Sequence, residues 1–339
     1  MTRALARRMA DVLAGAWRAG APSVALAPGE LAAMMPHLTV TGSLPLVWAR
    51  TRDDGVHRAA LAQVARTLAH EPQIVRLFLA LRAAGVEPVL AKGWALARLY
   101  GEPAARPSAD IDLFVVPGDL ARATAALADP ALAAIGVDLH SGFPDLEEAD
   151  PAPVFARSLT VPLAGVPVRV LAPEDHLRLV ALHLWRHAAW RPVWMCDVGA
   201  LVESGPLDWD RVLGGDARRA DWVASAVALA HRLVGASVAG SPVEPARLPR
   251  WLEPAVLDHW VGMGRHLYDG VPLAAHLLRP SGLIDALRRR WPSPLQASVS
   301  RRARFDGRPR WPLQLADCAV RAVQSIARFP SEVRALVRR

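Results

Sequence analysis

The sequence predicts an α+β protein. A central α/β portion, residues 81–171, lies between an N-terminal helical region, 1–80, and a C-terminal helical region with an arginine-rich tail, 172–339. Three observations lead there. Alanine, leucine and arginine dominate the composition, which favours helix. Apolar residues recur at three- and four-residue spacing before residue 84 and again after residue 172. Between those stretches, short apolar runs are bounded by glycine, proline and aspartate, the punctuation of strands.

Taken in order, residues 1–20 carry early arginines, and Asp11 and Arg18 interrupt the apolar positions. The segment reads as an amphipathic helix and a poor signal peptide. Residues 56–67 and 73–84 are helical, and Gly85 is a stop. A short strand at 86–90 ends at Lys92-Gly93, and 94–100 form a short helix. Residues 108–116 form a second strand, closed by Pro117-Gly118, with Asp119 as N-cap of the helix 120–127. A third strand spans 135–140, and 142–153 is polar and turn-rich. Leu159, Val161 and Leu163 pair with Val166, Val168 and Val170 in a hairpin around Gly165. Pro173-Glu174-Asp175 opens a helix to about Trp190, acidic at its positive end. Helices follow at about 193–203, 209–213, 217–234 and 254–263. After about residue 280 arginine and proline weaken every pattern.

Composition narrows the function classes. The 339 residues, 52% hydrophobic, suffice for a sizeable core. Two cysteines, Cys196 and Cys318, give neither a disulfide framework nor metal-ligand spacing, and a reducing cytoplasm is expected. No apolar run approaches the roughly 18–20 residues that span a bilayer. The net charge of +8 is concentrated in Arg288, Arg289, Arg290, Arg301, Arg302, Arg304, Arg308 and Arg310, with Arg338 and Arg339 closing the chain. Such a segment is either an anion-binding surface or a solvated face in an arginine-biased chain. Trp291 and Trp311, beside prolines, read as packing anchors and not as a base-stacking platform.

The chemistry concentrates in residues 89–116. Asp110 and Asp112 sit one residue apart in an apolar run. On a strand, residues i and i+2 point to one side, so the two carboxylates would share a face. Their mutual repulsion and burial are costly, and a bound cation removes that cost. Hard ions such as Mg²⁺ take one or two carboxylates plus substrate phosphates, so the pair reads as a Mg²⁺-phosphate site. Asp138, on the next strand with His140 on the same face, is a third metal ligand or a general base. Lys92 is the only lysine of the chain, and asparagine is absent. Where composition drives lysine toward arginine, a surviving lysine marks a place that needs a compact ammonium. It precedes Gly93, where backbone can approach a phosphate closely.

These motifs resemble an uncharacterised nucleotidyltransferase family of the DNA polymerase β-like superfamily. They comprise Lys92-Gly93, Tyr100, Arg106, Asp110-Ile111-Asp112-Leu113, Asp138-Leu139-His140, Pro173-Glu174-Asp175, His183, His187, Trp194 and Asp197. The resemblance covers about residues 70–205 and implies a small mixed sheet flanked by helices, Mg²⁺ dependence and an NTP such as ATP as donor. It implies Asp110, Asp112 and Asp138 as metal-binding and catalytic residues. Lys92, Gly93, Arg106, His140, His187 and Asp197 would surround the nucleotide. Better-known members of the superfamily have Gly-Ser where this chain has Gly93-Trp94, and Lys92 is placed to substitute for the missing hydroxyl. Some members lie near genes for ribosomally made peptides, so a peptide or small-molecule acceptor is expected ahead of nucleic acid.

His176, His183 and His187 fall at i, i+7 and i+11, one face of a helix. A zinc site there lacks the glutamate of helical zinc proteases, and structural histidines or a place beside the nucleotide cleft are expected instead. The functional expectation is transfer of a nucleoside monophosphate. Its alternatives are a degenerate partner protein that binds nucleotide or RNA, and transfer of another group from a nucleotide donor.

Overall fold

A computed structural model of the chain describes residues 1–148, 150–262 and 290–337. Four helices come first: α1 (Arg3–Leu13), α2 (Pro28–Thr41), α3 (Leu44–Thr51) and α4 (Asp54–Ala83). The two helical segments expected at 56–67 and 73–84 are one helix, continuous through Pro72. Asp53 caps it by accepting the Val56 N–H at 2.9 Å, and Gly85, at φ +72°, turns the chain out of it.

The central portion is β1 (Val89–Ala91), α5 (Gly93–Ala97), β2 (Ile111–Val115), α6 (Leu120–Leu127), β3 (Val137–Ser141), α7 (Ala152–Ala156), β4 (Leu159–Leu163) and β5 (Val166–Val170). The five strands form one sheet in the order β3-β2-β1-β5-β4. β2 runs antiparallel to β1 and parallel to β3, while β5 runs parallel to β1 and antiparallel to β4. The sheet is therefore mixed. The hairpin has the expected register, with Leu159 opposite Val170 and Leu163 opposite Val166. Strands β1 and β2 are shorter than the sequence suggested, because the chain turns at both flanks of β1 and again before Ile111. Asp119 stands at the N-terminus of α6 as expected, but its carboxylate pairs with Arg122 instead of capping the backbone.

The C-terminal helices are α8 (Pro173–Arg186), α9 (Val193–Val202), α10 (Trp209–Val212), α11 (Ala217–Val234), α12 (Leu252–Val261), α13 (Pro294–Ser300) and α14 (Trp311–Val337). Helix α8 ends at Arg186, four residues before the expected Trp190, because Ala188 and Ala189 take φ of +54° and +51° and reverse the chain.

Two apolar clusters sandwich the sheet. Leu90, Ile111, Leu113 and Val115 face Ile74, Leu77, Phe78 and Leu81 of α4. Val89, Ala91 and Phe114 face the larger cluster, which runs through α8, α9 and α11 to α1 and α12. Trp17, following α1, lies against Gly199 of α9, where an added Cβ would meet its ring at 2.5 Å. Trp17 Nε1 also donates to Glu203 Oε2 at 2.9 Å. The N-terminal helices thus pack on the C-terminal ones.

No helix among the described residues is long and apolar enough to cross a membrane. Both cysteines are free. Much of the described arginine-rich segment is tied to carboxylates: Arg302 to Glu147 at 2.5 Å, Arg304 to Asp221 at 3.8 Å, and Arg310 to Asp306. Arg288, Arg289, Arg338 and Arg339 lie outside the described residues. Trp291 and Trp311 are 48% and 61% exposed. They are therefore not the packing anchors their neighbouring prolines suggested. Trp311 is the first residue of α14, and Trp251, with Arg310 stacked 4.9 Å from its ring, fills the packing role instead.

Candidate functional site

Cross-strand partners in a sheet point to the same side. Ala91 pairs with Asp112 and Asp112 with Asp138; Val89 pairs with Phe114 and Phe114 with His140. Asp112, Phe114, Asp138 and His140 therefore share the sheet face that looks toward α8. His140 stacks on Phe114 with ring centres 4.5 Å apart, which fixes the imidazole between two carboxylates. Its Nε2 lies 3.3 Å from Asp112 Oδ1 and 3.2 Å from Asp138 Oδ2. One ligand atom each of Asp112, Asp138 and His140 lie within 4.8 Å of one another.

Lys92 closes this group. Its Nζ donates to Asp112 Oδ1 at 2.8 Å, with both side chains largely buried. The Lys92 backbone is strained: φ +55° and ψ −142° lie where non-glycine residues are rare. His176, on α8, holds that conformation by accepting the Lys92 N–H on Nε2 at 2.9 Å. Burial, reinforced by the charges of Arg98, Arg106 and Lys92, pushes the His176 imidazole down to about 3, so it stays neutral and can accept. At Asp112 burial opposes ionisation, but the His140 hydrogen bond and the Lys92 ammonium outweigh it and hold the carboxyl below its usual range. Among the described residues Asp112 Oδ2 accepts no hydrogen bond, and it is not sealed from solvent. It is an open ligand position.

Gly93 begins α5 at φ +32°, and a Cβ there would stand 3.0 Å from Ser108 Oγ. Ser108 donates that hydroxyl to the Asp110 carbonyl at 2.9 Å. Trp94 turns away from this turn and donates its indole N–H to Glu71 at 3.0 Å. Asp110 is exposed and precedes β2, so the alternation rule that would aim it alongside Asp112 does not reach it. It is not a member of the Asp112, Asp138 and His140 group.

Arg106 and Asp197 meet each other. Arg106 donates to Asp197 from Nε at 3.0 Å and from Nη2 at 2.7 Å, and to the Pro107 carbonyl at 2.9 Å. Tyr100 donates its hydroxyl to the same carboxylate at 2.8 Å. All three are buried, and the constellation ties the loop before β2 to α9. Burial disfavours the Arg106 cation, but the Asp197 charge and hydrogen bonds more than reverse that and raise its pKa.

His187 follows the last residue of α8 and folds back, its ring 4.4 Å from that of His183. Burial and the neighbouring His183 push it down to about 4. His183 Nδ1 lies 3.3 Å from Asp145 Oδ2, and Arg186 pairs with the same carboxylate. Among the described residues these histidines form no metal-ligand group, so the zinc alternative has no support. Asp145 and Ser108 were not marked by the sequence. Each sits in a turn, where only the fold decides what it approaches.

A five-stranded mixed sheet flanked by helices is consistent with a nucleotidyltransferase core. The model of an uncharacterised nucleotidyltransferase family matches residues 45–135 and 133–235, more than half of the 339 residues. The chain belongs to that family. No curated protein and no solved structure matches it.

Proposed function

We propose that the protein moves a nucleoside monophosphate from an NTP to an acceptor, with Mg²⁺ or Mn²⁺ held by Asp112 and Asp138. The observation that carries this is the grouping of two carboxylates and His140 within 4.8 Å, with the lone lysine on Asp112. Two carboxylates suit a hard divalent ion such as Mg²⁺ or Mn²⁺. A bound ion supplies Lewis-acid charge at the phosphate oxygens. The rest falls to the chain. Lys92 leaves Asp112 for the triphosphate and neutralises it. The Gly93 backbone lets phosphate approach, and the Ser108 hydroxyl lies at the same turn. His140 orients both carboxylates. Asp110, at the rim, joins the ligands when nucleotide is present. Arg106, Asp197 and Tyr100 support the nucleotide side from behind, while His187 lines the α8 wall. Catalysis is positioning plus charge stabilisation.

The acceptor is a peptide or small molecule in preference to nucleic acid, since much of the described basic segment is already paired with carboxylates. The free thiols fit a cytoplasmic setting. A binding-only partner protein is the second reading, favoured by the placement of Asp110 outside the ligand group.

The test is pyrophosphate release from each α-labelled NTP with Mg²⁺ or Mn²⁺, alone and with candidate peptides and alcohols. Release that Asp112→Asn and Asp138→Asn abolish is expected. Tight nucleotide binding without release under any of these conditions would leave the partner protein as the better reading, and product mass would expose transfer of a different group.

A further inference from the structure

The transfer needs a group to take the acceptor's proton, and the proposed function already assigns Asp112 and Asp138 to the cation. We propose that His183, held by Asp145, is that proton acceptor; the inference rests on the transferase reading above.

Four features support it. The Asp145 carboxylate accepts the Nδ1–H of His183 at 3.3 Å, which sets the tautomer and leaves the Nε2 lone pair free. Among the described residues that Nε2 makes no hydrogen bond, and it is not sealed from solvent, unlike a histidine whose two nitrogens are spent in a core. The ring is clamped by His187 at 4.4 Å and by the edge of Trp194 at 5.0 Å, so its aim is fixed. The pair is tied to the elements that build the ligand group. His183 lies two turns along α8 from His176, about 10 Å, on the face that touches Lys92. Asp145 follows β3 in a turn anchored by Phe143, whose ring stacks on Phe114 at 5.0 Å, itself the seat of His140. Burial, first of the influences on His183, lowers its pKa despite Asp145, so the ring is neutral and ready to accept.

The step balances simply. The acceptor oxygen bonds to the α-phosphorus, its proton passes to His183 Nε2, and the bond from the α-phosphorus to the bridging oxygen breaks to release pyrophosphate. Asp145 then faces an imidazolium. His183 is the catalytic residue and Asp145 a positioning residue.

The experiment uses the full chain with α-labelled NTPs, Mn²⁺ and three acceptors of falling hydroxyl pKa: water, glycerol and trifluoroethanol. His183→Ala is expected to lower kcat by about 10²-fold or more with little change in nucleotide KM. The loss should shrink toward trifluoroethanol, and added imidazole should restore turnover. Asp145→Asn should lose less, and His183→Gln, which keeps the volume, should match the alanine variant without rescue. If His183→Ala turns over like wild type while Asp112→Asn is silent, the base assignment falls and the transferase reading stands. A raised KM with unchanged kcat and no imidazole response would make His183 a binding residue and overturn the proposal. If wild type forms no Asp112-dependent product with these acceptors or with the candidate peptides, the transferase reading itself fails.

Discussion

Lys92→Met isolates the interaction on which the site is built. The ammonium and the Asp112 carboxylate are 14% and 6% exposed and 2.8 Å apart. Removing one partner of a buried pair costs about 3–5 kcal/mol, because the remaining charge is stranded. Asp112 keeps His140 at 3.3 Å and has an open Oδ2, so the loss belongs at the lower end, about 3 kcal/mol. A divalent ion offers the opposite change. In wild type the ammonium already neutralises Asp112 from Oδ1 and repels an ion arriving at Oδ2; in the methionine variant that repulsion is gone. If that relief tightens Mn²⁺ tenfold, the stabilisation at saturating metal grows by about 1.4 kcal/mol. Urea unfolding of both proteins, with and without Mn²⁺ and without nucleotide, reads both quantities. The variant should be less stable in chelator and gain more from metal than wild type does. An equal or smaller metal increment in the variant would refute the claim that the ammonium repels the cation, and a loss under about 1 kcal/mol would refute the buried pair.

Three further outcomes are expected. Arg106→Met should cost about 3–5 kcal/mol in urea unfolding by stranding Asp197, and adding Asp197→Leu should recover part of it; additive losses would mean the pair is not coupled. His176 is held neutral down to about pH 3, whereas its unfolded form protonates near 6.5. The unfolded chain then binds the extra proton within that window, so stability is complete above about 6.5 and falls by up to about 1.4 kcal/mol per pH unit on acidification. His176→Gln should flatten the slope, and an unchanged slope would contradict its burial as a neutral acceptor. Gly199→Ala should destabilise by about 1–3 kcal/mol, because its Cβ would overlap the Trp17 ring; a neutral result would show that α1 does not seat there as described.

Legibility followed the range of the physics. The hairpin register and helix α11 could be read because alternation and capping are local: Asp216 caps α11 and Gly235 ends it, both within a few residues of the elements they bound. Lys92 stands out because it is the single lysine, and the fold sets it on Asp112, the carboxylate inside the apolar run. What depended on chain reversals could not be read. Asp110 satisfied the i, i+2 spacing, yet the turn at Ser108 delays β2 by three residues and takes Asp110 out of the ladder. Asp197 and Arg106 read as two site residues because nothing in the sequence says that each is the other's counter-ion across 91 positions. Asp145 had no sequence signal beyond a turn, and its importance comes wholly from facing α8.

Helix α8 links these findings. It supplies His176 to the strained Lys92 backbone and His183 to Asp145. A positive-φ lysine costs about 1–3 kcal/mol, and a neutral buried histidine adds a pH-dependent penalty; neither persists without a compensating gain. The gain is geometric. With its N–H turned toward α8, Lys92 directs its side chain back across the end of β1 onto Asp112, and the next residue, Gly93, opens α5. Glycine at 92 would relieve the strain and lose the ammonium, whereas arginine would keep a charge but replace a mobile point donor with a rigid fork. In a chain that otherwise uses only arginine for permanent positive charge, the lysine here places a compact ammonium on a buried carboxylate, and under the proposed transfer that same ammonium would move to a phosphate when substrate arrives.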